Sequence, residues 1–567
     1  MKEKIKGFIL PTILSVLFAL AYFYLAVPAI NLRAFGFWFM LILTAAVFIG
    51  LYVSFTDETL IKRIKAWLKT SVSDAAQKSK KKKLHRGDYV VGDKVKMNKG
   101  IKIALIVLAA ILVLVLFVTF FTSTRLFRAS KYQQMLTVTE SDFAEDIKEL
   151  PISQIPIVDR DTAERLGSRK IGEVVELVSQ FNVASYYSQI NYKNKPFRVT
   201  PLEYAGFLKW FSNKDEGIPY YVTIDMAAVD KPTEQTQLVE LDEGMKYSPS
   251  EYFARDLYRH MRFAYPTKMF ENLSFEIDDS GAPYWVMSCY DYTIGLFGGK
   301  DITGIILVNA VNGEMTYYDI SEVPQWIDVA YSAEMLITQA DNWGSLKNGF
   351  LNSIFVQKNV VVTTDGYNYI AVDDDVWLYT GITSVVADES NIGFILINMR
   401  TKEAKTYMIN GAEEYSAMGS AEGQVQEKGY TATFPILLNI ADRPTYFISL
   451  KDEVGLVKLY AYVSVTDYQI VGVADTIQGA EKEYKRMLGI SVTDQPLVGE
   501  TTEYSGVIQK IATAVKNGNS QYYIMVSDKI YIADISVSDI LPLLSVNDNI
   551  TFKADDNGNI SEISLTE

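Results

Sequence analysis

The chain has 567 residues, a net charge of −14, one cysteine and two histidines. A single cysteine excludes an internal disulfide and a cysteine-based metal site, and because His85 falls in a basic loop between apolar runs, His260 is left alone and a multi-histidine metal centre is excluded. The acidic balance argues against nucleic-acid binding, which rests mainly on neutralising phosphates.

Three uncharged apolar runs come first: Phe8 to Ile30, Gly36 to Phe55 and Ile103 to Phe121. Each is long enough to cross a hydrocarbon core that takes about 20 helical residues. Three transmembrane helices are therefore expected at about 8–30, 36–55 and 101–121, making 1–122 a membrane domain. The first is a retained helix rather than a signal peptide, because it lacks a small-residue cleavage pattern and a second span follows at once. The connecting segment 56–100 carries thirteen Lys/Arg against five Asp/Glu, including the run Lys80 to Lys83. The positive-inside rule then puts the N-terminus and this loop in the cytoplasm and residues 123–567 outside, as a multi-pass plasma-membrane protein. Residues 1–122 carry a net +12, which leaves −26 on the remainder. Within the basic loop, Leu60, Ile64, Trp67 and Leu68 recur at helical spacing while Lys62, Arg63, Lys65 and Lys69 fill other faces. That pattern suits a helix lying on the inner leaflet. The competing reading is that these charges serve only to set topology.

The ectodomain is too long for one core. Residues 123–270 read as a membrane-proximal α/β module, with a helix over Asp161 to Leu177 and a hairpin turning at Lys193 to Pro196. A second helix is expected from Ser248, with Pro249 in the first turn, Glu251 closing a capping box and a buried stripe of Phe253, Leu257, Met261 and Ala264. Residues 271–495 read as repeated antiparallel α+β units. "GIILVNAVNGEMTYYDI" (Gly304 to Ile320) aligns with "GFILINMRTKEAKTYMI" (Gly393 to Ile409), and "PYWVMS" from Pro283 matches "PTYFIS" from Pro444. A helix from Thr476 to Leu488 ends at Gly489. Residues 496–567 show three strands, a short helix around Val537 to Leu544 and two more strands, the order of an OB-like small barrel. Residues 500–567 hold four lysines and ten acids, which points away from single-stranded nucleic acid and toward protein or glycan.

Few residues carry candidate chemistry. "TIGLFGGKDITG" (Thr293 to Gly304) approaches a phosphate-binding loop, but Ile294 stands where that motif needs glycine and Asp301 where it needs Ser or Thr. It reads as a strand-to-strand turn. His260, the one histidine outside the basic loop, reads as a structural residue on its helix. "AVDDDVW" offers Asp373 and Asp375, which share a strand face and are candidates for a glycosidase-like pair or a Ca²⁺ site. A solvated turn is the simpler reading.

The stretches "RLGSRKIGE", "RVTPLEYAGFLKW", "FEIDDSGAPYWV" and "TTDGYNYIAVDDDVWLYTG" resemble a family of uncharacterised membrane proteins of Gram-positive, clostridia-like bacteria, over about Ile155 to Ala474. The resemblance implies envelope placement and carries over no catalytic residue. The "VNAVNGEM" hairpin is similar to PepSY-type modules, which implies an extracytoplasmic binding or inhibitory role. The expectation is a non-catalytic scaffold or regulator that needs no cofactor, sits in the lipid bilayer and binds an envelope protein or cell-wall component. The alternatives are a cell-wall enzyme using paired carboxylates and a transmembrane sensor.

Overall fold

The computed structural model describes residues 2–56, 110, 113–227, 235–385, 390–490, 502–516, 519–538, 540–554 and 558–566. Two helices come first, α1 (Lys2–Ala26) and α2 (Phe35–Thr56), and their segments Phe8–Ala26 and Phe35–Tyr52 are long and apolar enough to cross a membrane. Most of the third expected span lies outside the described residues. Its end, Val113–Ser123, continues after a 41° bend into α3 (Arg125–Gln133). The basic loop, with Lys62, Arg63, Lys65, Trp67 and Lys69, also lies outside them.

The chain divides into two compact units, the first reaching Ile477. In the first, α4 (Arg160–Gly172) starts where the Asp159 carboxylate accepts the Thr162 N–H at 3.0 Å. It stops before the expected Leu177, which sits in a separate turn, Val175–Val178. The hairpin of β1 (Ser188–Asn191) and β2 (Pro196–Tyr204) turns where expected, with Lys193 and Asn194 at φ 54° and 59°, as tight hairpins require. A short helix α5 (Phe207–Asn213) leads into β3 (Ile218–Asp225) and β4 (Thr236–Met245), completing an antiparallel sheet with Phe181–Val183.

The helix expected from Ser248 begins later, as α6 (Leu257–Ala264), with Asp256 rather than Ser248 accepting the first-turn N–H. The reason is Glu251. Its carboxylate turns inward to accept the Trp210 indole N–H at 2.6 Å and the Tyr204 hydroxyl at 2.9 Å, so it cannot close a capping box. Leu257 and Met261 are buried as expected, while Phe253 and Ala264 are exposed.

The next four strands, β5 (Met269–Ile277), β6 (Pro283–Ile294), β7 (Gly298–Asn309) and β8 (Met315–Asp319), form a meander buried on both faces. Phe275, Trp285, Met287, Ile306 and Val308 enter a core shared with the β1–β4 sheet and α6. Val286, Ile305 and Leu307 enter a second core. Successive strand residues point to opposite faces, so two-sided burial explains the unbroken apolar run "GIILV". The second core is closed by α7 (Ala333–Ser345) and by a sheet containing β9 (Asn368–Val372), β10 (Asp375–Ser384), β11 (Gly393–Asn398) and β12 (Ala404–Tyr407).

The sequence repeat corresponds to one hairpin used twice. In β7–β8 the Asn309 side chain accepts the N–H groups of Val311 and Asn312 at 2.9 and 3.1 Å; in β11–β12 Asn398 does the same for Arg400 and Thr401, both at 2.9 Å. A further antiparallel sheet, β13 (Ile436–Ile440), β14 (Arg443–Lys451), β15 (Val457–Ser464) and β16 (Val471–Ala474), packs against a helix, Glu414–Gln424.

The second unit is an antiparallel sheet of β17 (Thr502–Lys516), β18 (Asn519–Val526), β19 (Lys529–Asp534), β20 (Asn549–Ala554) and β21 (Ile560–Leu565), in the order β19-β18-β17-β20-β21. Among the described residues the expected barrel is not closed: β19 meets the residue just before β21 at an isolated parallel bridge, Ile532 with Asn559. The expected helix is two short 3₁₀ turns, Ile535–Val537 and Leu541–Leu543, where Pro542 lacks a helical N–H.

The glycine-rich stretch is the β6–β7 turn, and it is pressed against the end of the 113–123 helix. The Ser123 hydroxyl accepts the N–H groups of Leu296 and Phe297 at 2.9 and 3.2 Å. A Cβ on Gly298 would stand 2.3 Å from the Ser123 carbonyl. Lys300 is committed elsewhere, paired with Glu271 and lying 4.3 Å from the Tyr290 ring centre. We therefore expect Lys300→Ala to lower stability by only about 0.5–1 kcal/mol. Gly298→Val should cost about 2 kcal/mol or more, because backbone must move to admit it. Thermal melts of the full chain in nanodiscs read both, and equal losses would contradict this placement.

Candidate functional site

A cavity of about 650 Å³ opens where the β1–β2 hairpin, the start of α4, β5 and β9 converge. Its notable side chain is Arg198 on β2, only 7% exposed. One guanidinium nitrogen donates to Gln189 Oε1 at 3.2 Å, while its Nε has no partner. Burial lowers its pKa to about 10, the direction expected of a cation without full compensation.

Neighbouring acids are already engaged. Asp159 accepts from Lys451 Nζ at 2.5 Å and from the Thr162 N–H, and Glu164 pairs with Arg160 at 3.0 Å. Burial pushes the Asp159 carboxyl up, but the Lys451 ammonium and the hydrogen bonds from Lys451 and Thr162 together hold it below the usual carboxylate range. The Tyr187 hydroxyl, also on the wall, is buried without a partner. Tyr367, Tyr369 and Phe434 add flat aromatic surface. The cavity thus combines an incompletely compensated cation with aromatic faces, an arrangement able to hold an anion attached to a flat or ring-shaped body.

Behind the wall lies an acidic pair that sequence reasoning missed. Glu276 is 0% exposed and Asp328 2%. Glu276 accepts the Asp328 N–H at 2.9 Å, the Val329 N–H at 3.3 Å and the Ser274 hydroxyl at 2.9 Å. Asp328 accepts the Asn191 N–H at 2.7 Å, and its other oxygen has no partner. Burial pushes Glu276 up to about 7; burial and then the Glu276 charge push Asp328 well above the usual carboxylate range. Glu276 has three donors and Asp328 one, so Glu276 holds the charge and Asp328 the proton. The available signal was an acid inside each of two apolar runs, "FEI" and "WIDVA".

The two aspartates singled out from sequence are not brought together. Asp373 lies exposed in the β9–β10 turn at φ 55°. Asp375 is held by Arg400 through two 2.8 Å hydrogen bonds and by Asn398 at 2.8 Å. No group of three or more His, Cys, Asp or Glu among the described residues is arranged to hold a metal ion. His260 Nε2 lies 2.8 Å from the Gly313 carbonyl, beneath the Tyr247 ring, in a structural role.

No family model matches the chain, and no curated protein matches it. Among solved structures, a Bacillus megaterium levansucrase variant aligns over 76% of this chain and 96% of its own at 9% identity and a TM-score of 0.17. A levansucrase complexed with sucrose aligns over 79% and 96% at 9% identity and a TM-score of 0.17. The Bacillus megaterium YpeB C-terminal domain aligns over 38% and 94% at 10% identity and a TM-score of 0.09. Scores this low transfer neither fold nor activity.

The acidic pair generates a pH prediction. Both folded pKa values are raised, so the stability tied to these groups is fully present below their unfolded values near 4 and is lost as pH rises through about 7 and beyond. Asp328→Asn removes one titrating group and should flatten the fall between pH 4 and 8 by on the order of 1–3 kcal/mol. Melts of the full chain in nanodiscs across that range would check it, and an unchanged slope would refute the assignment.

Proposed function

We propose that this chain is a non-catalytic, membrane-tethered binding protein of the bacterial cell envelope whose extracytoplasmic cleft takes an anionic group of a partner protein or wall component. The carrying observation is Arg198. An ionised group kept from water costs several kcal/mol unless something pairs with it, and this one lacks a carboxylate partner. A ligand anion supplies that partner. The paired-carboxylate enzyme is the weaker reading, since Asp375 is bound to Arg400 and the Glu276–Asp328 pair is sealed from the cavity.

The topology proposed is three spans with the N-terminus and residues 56–100 in the cytoplasm. Val27, Ile30, Asn31 and Arg33, between α1 and α2, and Ser123, after the third apolar run, bond to the ectodomain, which supports placing those helix ends on one side. The Asn-turned hairpins support kinship with PepSY-type units. The strand order of the second unit, with its parallel touch between β19 and the residue just before β21, supports an OB-like module that contacts protein or glycan.

Two outcomes test this reading. Arg198→Met should raise the melting temperature of the unliganded full chain, by about 1–3 kcal/mol of stability, because it removes an uncompensated buried charge. It should also abolish any thermal shift produced by uronic acids or inorganic phosphate. A variant that is destabilised, together with a wild type that no anion shifts, would overturn the cleft's role. Protease added to intact protoplasts should remove the region after Ser123 and spare 56–100; digestion of that loop from outside would reverse the orientation.

A further inference from the structure

The ectodomain carries apolar side chains that no described protein surface covers, and they lie beside the ends of the membrane helices. Their position follows from a chain of contacts starting on α1. Arg259 and Arg262 of α6 donate to the carbonyls of Tyr24 and Val27, both at 2.9 Å, so α6 sits at the end of the span Phe8–Ala26. Phe263 of α6 is exposed, yet its ring lies 5.6 Å from Phe23 and 6.3 Å from Tyr24, level with residues of the span itself. Arg259 also donates to the Phe253 carbonyl at 2.5 Å, and the exposed Phe253 ring lies 5.7 Å from Trp210 of α5.

From there α5 presents Phe207, Leu208 and Phe211 outward, Leu208 being 76% exposed. Phe253 is held at φ 55°, a backbone region that a bulky residue seldom adopts. The helix therefore has an aromatic and aliphatic outer face, with Lys209, Lys214 and Arg255 close by. A basic, aromatic-rich amphipathic surface of this kind suits the headgroup boundary of a bilayer.

A second apolar prong stands on the α7 side. α7 packs against α3, which starts directly after Ser123 at the end of the 113–123 helix. The segment that follows α7, a short π-helical turn at Asn352–Val356, exposes Leu351, Ile354, Phe355 and Val356, with Phe355 at 77%. Four outward apolar residues within six are a large uncovered patch for a water-facing loop.

We infer that these two prongs, Phe207–Phe253 on one side and Leu351–Val356 on the other, insert into the outer leaflet and seat the ectodomain on the lipid surface. The occupant is the bilayer because Arg259, bonded to both Phe253 and Tyr24, sets the first patch beside the end of a helix apolar enough to lie within it. This rests on the membrane reading of α1 and goes beyond it: the ectodomain is itself partly embedded, not merely tethered.

Site-directed fluorescence tests the inference on the full chain. The only native cysteine, Cys289, is fully buried and its thiol pKa is pushed up to about 12, so it should not take the label. Single cysteines at Leu208, Phe355, Leu25 and Asp279 would each carry an environment-sensitive probe in phosphatidylglycerol–phosphatidylcholine nanodiscs with and without spin-labelled lipid. We expect at least twofold quenching at 208, 355 and 25, and none at 279, in the β5–β6 turn. Leu25 quenched with 208 or 355 unquenched would overturn the inference while leaving the span intact. Leu25 unquenched would overturn the membrane reading and the inference with it. Probes at 208 and 355 shielded from aqueous iodide but blind to spin-labelled lipid would mean that protein covers the prongs, which also overturns it.

Discussion

Two arginines on one short helix fasten the ectodomain to the end of α1, and the arrangement of the first unit depends on them. The last carbonyls of a helix have no intrahelical donor and carry the negative end of its dipole. Arg259 and Arg262 supply those donors at Tyr24 and Val27. Arg262 is itself buried, and its Nη1 donates to the carbonyls of Tyr265, Pro266 and Lys268 while the guanidinium lies over the Phe270 ring. Charge-assisted bonds of this kind contribute about 1.5–3 kcal/mol each. The Ile30 N–H bonded to Pro266 at 2.7 Å, Arg33 paired with Asp291 at 3.0 Å and the β6–β7 turn seated on Ser123 extend the same seam. The seam joins both helix ends to the lower edge of the β5–β8 sheet.

That sheet is the second constraint. Because it is buried on both faces, it ties the β1–β4 sheet to the β9–β12 sheet without a flexible joint, and the cavity forms where the two outer sheets approach each other across it. Arg262 has backbone carbonyls around it and serves structure. Arg198 has one glutamine and an idle Nε, so its desolvation is left uncompensated within the protein. The difference lies in surroundings rather than residue type, and it is why Arg198 alone of the two points to a ligand.

Legibility from sequence followed the range of the forces involved. The hairpin at Lys193–Asn194 and the glycine-rich turn were readable because turn chemistry is local. So was the Asn309 and Asn398 repeat, since each asparagine bonds to backbone two and three residues onward. The start of α6 was misread for the opposite reason: Glu251 fits a capping box locally, but Trp210, distant in sequence, claims its carboxylate. Arg198 left a faint trace as the one charge in the run from Phe197 to Leu202, and Glu276 and Asp328 as acids among apolar neighbours. None of the three announced its partners.

By itself the sequence determined the apolar runs, the charge asymmetry across residue 122, the turn-punctuated antiparallel character of the ectodomain and that one cysteine cannot form an internal disulfide. These depend on composition and on periods of two or a few residues, which the chain carries wherever it folds. Tertiary structure alone decided that Asp375 belongs to Arg400, that Lys300 belongs to Glu271, that Ser123 is the seat of a loop some 170 residues away, and that Arg198 has no anion of its own. Pairing and desolvation are properties of what surrounds a group in space, and sheets whose strands lie far apart in sequence bring those surroundings together.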